Sequence, residues 1–425
     1  MPNHRPNSIR VGTLTAVLIA LLSLLILLPA PLHAQKKKAA PAPEVKPGDQ
    51  RVTAYFDISK IVWPNPPAIA RIRFLDLYTG EKIDRSKFES KKKKQTWMDR
   101  LAGAQSTGQI KITSLPFQLI RTFGVGADSK GRIYAADQAV GGIFVFNPEN
   151  KDQVELIGKD QHVHFDMLAG LAVDDNDRLF VTDVKARHVL VINPKHETEG
   201  VFGSDVLVRP GGVAIDRENR FLYVVDSGDD VVDVFDADSF KLLRQIGKPS
   251  KKHEQTDPGT FSLPECVAVD ADGNVYVTDT FNNRIEIFDA DGQFISQFGK
   301  NGDGPADLER PKGIAIDSDG HIWVVDAATN QVKVFNKEGR LLIYFGGQGS
   351  YPGQFMGPWG IAIDKFNRVI VSETFPGRVQ MFRYVTDAEA EAEKNKRAST
   401  DQKPSASSAQ QASATAAATK DVAPK

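Results

Sequence analysis

Cysteine occurs once in the 425 residues, at Cys266, so no disulfide can close within the chain and a disulfide-stapled scaffold is excluded. A surplus of either charge is also missing. Fifty-three lysines and arginines face 54 acids, which leaves no basic footprint for a nucleic-acid binder. The catalytic signatures that can be read from spacing are absent too: no G-x-S-x-G elbow, no Walker loop and no Rossmann glycine pattern. Helical periodicity is scarce. Val, Ile, Phe and Tyr instead alternate with polar residues in short runs, the pattern of half-buried strands.

The one long apolar run lies at the start. MPNHRPNSIR carries Arg5 and Arg10 with no acid, Val11 to Leu28 is uncharged and apolar, and PAPLHA ends on a small residue. This is the layout of a secretory signal with cleavage after Ala34. An uncleaved anchor is the alternative, because eighteen apolar residues sit at the edge of spanning length. Removing these 34 residues takes away two arginines and no acids, so the formal charge moves from −1 to −3. The expected layout is a signal at 1–34, a flexible linker at 35–50, a folded domain at 51–387, and a disordered low-complexity tail at 388–425. KKKK at Lys91–Lys94 reads as solvated linker. Trp97 and Leu101 suggest a short helix over 92–102 that packs on the domain.

Internal repetition organises the rest. Six stretches share one plan: RTFGVGADSKGRIYAAD from Arg121, LAGLAVDDNDRLFVTD from Leu168, RPGGVAIDRENRFLYVVD from Arg209, LPECVAVDADGNVYVTD from Leu263, RPKGIAIDSDGHIWVVD from Arg310 and GPWGIAIDKFNRVIVSE from Gly357. Their first acids, Asp128, Asp174, Asp216, Asp270, Asp317 and Asp364, are 46, 42, 54, 47 and 47 residues apart. A period in the forties with about four short strands per unit defines a propeller blade. GIAID is the small inner strand, DSDG a tight hairpin, HIWVVD the second strand, and QVKVFN and GRLLIYFG the third and fourth. The sixth copy ends at RVQMFRYV, one strand short. The alternating segment AIARIRFLDLYTG, 68–80, is expected to supply that strand, with residues 70–78 closing the ring. The prolines of VWPNPPAI should stop regular pairing just before it. The fold predicted is all-β, a six-bladed β-propeller with four-stranded blades closed by an N-terminal strand.

The pattern P-x-G-[IV]-A-[IV]-D, D-G-x-[IV]-[YW]-V-x-D and N-x-R-[IV]-x-[IV]-F-D resembles the NHL repeat family, most clearly in TFNNRIEIFD from Thr280 to Asp289. The resemblance covers residues 119 to 385, and copies one to three depart from the N-x-R element. It includes an amidating lyase whose channel zinc is held by histidines near the starts of the inner strands. Those positions here are Phe123, Ala169, Gly211, Glu265, Lys312 and Trp359, none of them histidine.

Candidate chemistry is therefore sparse. The repeated acids recur in nearly every copy, so hairpin turns and strand-end caps explain them, and the calcium-loop spacing is incomplete. His162 and His164 form the one plausible metal pair, short of the three or four ligands zinc needs. Cys266 reads as a small buried residue of an inner strand. Glu265, Lys312 and Trp359 follow Pro264, Pro311 and Pro358, so ring geometry brings them to one face. An acid, a base and an aromatic there suit recognition of a polar ligand or peptide. Arg284 and Arg378, in the N-x-R position, are further candidate binding residues. Being at an end of the fold, Lys312 and Trp359 should tolerate truncation without loss of stability.

The expected function is an exported binding or interaction scaffold, periplasmic or extracellular, for a protein or small-molecule ligand. No cofactor, metal or nucleic acid is expected, and membrane contact arises only through an uncleaved N-terminal segment. A metal-dependent lyase or hydrolase working in the channel and a structural part of an envelope complex are the alternatives.

Overall fold

A computed structural model describes residues 57–80, 118–151, 153–158 and 163–401. The helix expected over 92–102 and His162 lie outside these residues. The described chain folds into six antiparallel sheets, five of four strands and one of five.

Blade 1 runs Thr122–Ala127, Ile133–Asp137, Gly142–Phe146 and Val154–Ile157, and blade 2 runs Leu168–Val173, Leu179–Asp183, His188–Ile192 and Thr198–Phe202. Blade 3 comprises Pro210–Asp216, Phe221–Asp226, Val231–Asp236 and Leu242–Gly247. Blade 4 comprises Pro264–Val269, Val275–Asp279, Arg284–Phe288 and Phe294–Phe298. Blade 5 uses Pro311–Ile316, Ile322–Asp326, Gln331–Phe335 and Leu341–Gly346.

Blade 6 combines the two ends of the domain. Its strands Pro358–Ile363, Arg368–Thr374 and Gly377–Tyr384 are followed in the sheet by Ile72–Tyr78, with Ile72 opposite Tyr384 and Tyr78 opposite Val379. The ring is closed by the N-terminal strand. The prolines do not end the pairing, however. Val62 and Trp63 form a fifth strand on Arg73 and Ile72, and the prolines occupy the turn between the two. Proline is tolerated there because a turn needs no ladder N–H.

The core lies between blades, as β-branched and aromatic side chains of one sheet pack on the next. Each of the six inter-blade spaces holds one apolar cluster. Trp323, Phe345, Phe355 and Phe382 fill the space between blades 5 and 6. Trp63 of the fifth strand seals it, 5.2 Å from Phe345 and 5.9 Å from Phe382.

Every inner strand carries a register shift just after its first residue, for instance between Pro311 and Ile314. The bulge turns the x-G pair of P-x-G out of the ladder and toward the axis. Glycine is required there by close approach: a Cβ on Gly360 would lie 2.4 Å from the Phe123 carbonyl oxygen, and one on Gly124 2.6 Å from Leu171 N. Hydroxyls bridge the same seams. Ser372 Oγ accepts from Gly360 N (2.8 Å) and donates to Phe123 O (2.5 Å), and Thr182 does the same for Gly170 N and Gly211 O.

The tail departs from expectation. Asp387–Asp401 is a helix, not the start of a disordered segment. DAEAEAEKNKRASTD is rich in strong helix formers, and three arginines of blade 6 anchor it, Arg73 and Arg383 on two of its strands and Arg71 just before one of them: Arg71 to Asp387, Arg73 to Glu393 (3.0 Å) and Arg383 to Glu389 (2.8 Å).

Candidate functional site at the channel mouth

The repeated acids are absorbed by the backbone. Oδ1 of Asp270 accepts the N–H groups of Asp272 and Asn274, both at 2.9 Å, closing the first hairpin. Asp128, Asp174, Asp317 and Asp364 do the same. The second acids reach further than a strand-end cap. Asp226 accepts Gly228 N in the turn it opens, but also Val208 N (2.6 Å) and Arg209 N (2.8 Å) in the loop leading into the blade. Asp137, Asp183 and Asp326 bind their own incoming loops alike. Each pins the loop that delivers its inner strand.

Arg284 and Arg378 are buried. Arg284 is 7 % exposed and donates to Asp279 Oδ2, Gln297 Oε1 and the carbonyls of Thr256, Asp257 and Thr260. Arg378, 5 % exposed, donates to Glu373 and to the carbonyls of Ser350 and Gln354. Both spend their planar forks on a long inter-blade loop, so they organise the fold rather than offer a binding group.

Glu265, Lys312 and Trp359 do converge. Lys312 Nζ lies 3.0 Å from Glu265 Oε2 and 4.2 Å from the centroid of the Trp359 ring. Trp359 in turn meets Phe123 edge-on at 4.7 Å across the closure seam. Four consecutive blades thus contribute one connected acid, cation and aromatic pair at the bulge position. Ala169 and Gly211, the equivalents in blades 2 and 3, contribute at most a methyl group. Blades 4, 5, 6 and 1 line the mouth with large side chains, and blades 2 and 3 do not.

Lys312 is only 8 % exposed, which corrects the expectation that it can be truncated freely. The bulge aims its side chain along the mouth, where the carboxylate and the indole face enclose it. A desolvated ammonium between such partners is favourable only while both are present.

Cys266 replaces the bulge glycine in blade 4. Its N–H donates to Thr278 Oγ1 (2.8 Å), and burial pushes its thiol up to about 12, with Glu265 adding to the rise and Lys312 opposing it. A thiol held protonated is a weak nucleophile. His164 is exposed, 3.9 Å from Asp166. Among the described residues no three His, Cys, Asp or Glu side chains form a metal-holding group.

Sequence reasoning missed a second polar set. The middle of the third strand in blades 3 to 6 buries Asp233, Glu286, Lys333 and Gln380, each at most 2 % exposed. Lys333 donates to Asp307 O and Asp326 Oδ2, Gln380 holds Gly353 and Gln354, and Glu286 Oε1 accepts Gly259 N. The last three clamp incoming loops. Burial raises Glu286 to about 7 and Asp233 to about 6.

Comparison with known proteins agrees with this architecture. A family model described as a 6-bladed beta-propeller matches residues 267–328 and 316–388. The chain is a six-bladed β-propeller, and its repeats are similar to those of NHL-repeat proteins. It is similar to the brain tumor protein of Drosophila melanogaster, 50 % identical over 44 residues that make up 10 % of this chain and 4 % of that protein. It is also similar to a probable peptidyl-alpha-hydroxyglycine alpha-amidating lyase of Caenorhabditis elegans, 29 % identical over 115 residues, 27 % of this chain and 32 % of the lyase. The matches thus span about a third or less of these curated relatives. A solved Bacteroides thetaiotaomicron protein of unknown function shares the fold, with a TM-score of 0.51 at 18 % identity over 62 % of this chain and 70 % of that one.

Proposed function

We propose that this propeller is an exported binding module, periplasmic or extracellular, that holds a protein or small polar ligand at its channel mouth. The observation that carries the reading is the joined set Glu265, Lys312, Trp359 and Phe123, assembled by four consecutive blades at one end of the axis. A partly exposed indole braced by a buried cation is a rigid anchor of the kind that dominates binding energy when a partner covers it. Affinity capture from envelope extracts tests this. The mature chain should retain a partner or ligand that Trp359→Ala loses, and undiminished capture by that variant would move the site elsewhere. Export predicts a mature N-terminus at Gln35; an intact Met1 on membrane-bound protein would favour the anchor.

A metal-dependent lyase or hydrolase in the channel is the second reading, and the partial match to the amidating lyase favours it. Stoichiometric zinc or calcium in purified protein would put it first.

A further inference from the structure

The residue just before each inner strand occupies one collar around the mouth, because that strand's first residue always pairs with the second acid of its blade. In blade order the collar reads Arg121, Met167, Arg209, Leu263, Arg310 and Gly357. Arginine therefore stands in blades 1, 3 and 5, a threefold set about the axis. The second acids fix the three backbones alike, through Arg121 N to Asp137 (2.9 Å), Arg209 N to Asp226 (2.8 Å) and Arg310 N to Asp326 (3.0 Å).

All three arginines are exposed, and among the described residues no hydrogen bond or ion pair engages their guanidinium groups. The hairpin-turn end of the propeller behaves differently. Arg178 binds Asp174 (2.9 Å) and Asp238 (2.7 Å), and Arg220 binds Asp175 (2.7 Å) and Asp238 (3.0 Å). Apolar side chains stand between the collar arginines. Met167, Val208, Met356 and Ile120 are 36–41 % exposed, and Phe281 and Phe375, in the adjoining turns, 62 % and 59 %.

We infer that the mouth receives an acidic segment of a protein partner, whose carboxylates meet Arg121, Arg209 and Arg310 while its apolar side chains cover the collar. This rests on the mouth being the binding site and names the partner's chemistry. Arginine's planar fork matches a carboxylate bidentately, and Arg, Met and aromatics are the residues enriched in protein interfaces. The apolar side chains beside the arginines favour a chain over a compact anion, because a peptide offers side chains to cover them as well as carboxylates.

The test uses the full mature chain and a fluorescein-labelled synthetic peptide of alternating glutamate and leucine, read by fluorescence anisotropy. Binding should weaken as salt rises, since exposed charges are screened. The triple variant Arg121→Gln/Arg209→Gln/Arg310→Gln should bind at least tenfold more weakly at an unchanged melting temperature, because these side chains hold nothing in the fold. The reversal Arg209→Glu alone should weaken it severalfold. No binding of the peptide, equal binding by the triple variant, or equal binding of a lysine–leucine peptide or a single-stranded oligonucleotide would overturn the inference. Trp359→Ala separates the two readings. If it loses the envelope partner while the triple variant keeps it, the mouth remains the site and the acidic partner falls. If both variants keep it, both fall.

Discussion

Replacing Lys312 by methionine removes the cation at the centre of the mouth while keeping the apolar stem and most of its volume. Two interactions disappear. The ion pair joins side chains that are 11 % and 24 % exposed at 3.0 Å, a setting in which a charge-assisted hydrogen bond contributes about 1.5–3 kcal/mol. The contact with the Trp359 face at 4.2 Å adds about 1–2 kcal/mol when desolvated. Against this stands relief from holding an ammonium away from water, so the net loss should be about 2 kcal/mol. For a domain of this size, with about 2.1 cal/mol/K of unfolding entropy per residue, that corresponds to about 3 °C in melting temperature. Thermal unfolding by circular dichroism measures it. Glu265→Gln in the same chain should recover at least about 1 kcal/mol of the loss, since the stranded carboxylate is then gone. A single variant that melts with the wild type would refute the reasoning, for it would mean that the three side chains are independent in solution.

Three further outcomes are expected. Arg378→Ala strands the buried Glu373 and frees the carbonyls of Ser350 and Gln354; it should cost about 3–5 kcal/mol and raise hydrogen exchange in residues 347–356 first, and Lys at 378 should not restore it. Deleting residues 68–80 removes Ile72, Phe74 and Tyr78 from two inter-blade cores and bares the edge of Gly377–Tyr384. The unfolding free energy should fall by several kcal/mol, read as a lower melting temperature, with self-association visible by light scattering. Glu286 has its folded pKa raised to about 7 by burial, so the folded state keeps a proton that the unfolded chain releases above about 4.5. That residue therefore subtracts stability as pH rises from about 4.5 to about 7. In Glu286→Gln the fall in urea midpoint across that window should be shallower than in the wild type, and parallel profiles would count against a buried, raised carboxyl.

What the sequence made legible followed from repetition. P-x-G recurs at a fixed distance from the second acid, so the convergence of Glu265, Lys312 and Trp359 was readable from spacing alone. Their mutual contact was not, because it depends on which residues occupy neighbouring blades at one level. Glu286, Lys333 and Gln380 were hidden for a different reason. A polar residue flanked by Ile or Val in a strand reads as solvent-facing, yet here the loops from the preceding blade cover that face. The helix Asp387–Asp401 was read as low-complexity tail because its anchors, Arg71, Arg73 and Arg383, are brought to it by ring closure.

Ring closure also sets how the molecule meets mechanical load. Ile72 lies opposite Tyr384, so the chain enters the closing pair and leaves it at the same end of the ladder. Tension drawn through the two ends would pull that ladder open one rung at a time, as a zip, instead of shearing all its bonds together. The first rung is where reinforcement gathers: Trp63 pairs with Ile72, Val385 N donates to Arg71 O at 2.8 Å, and Arg71 and Arg73 hold the helix that follows. The fifth strand and the terminal helix act as a latch on the pull tab. A propeller stretched between two attachment points would resist opening through these few contacts, well before the blades themselves bear any force.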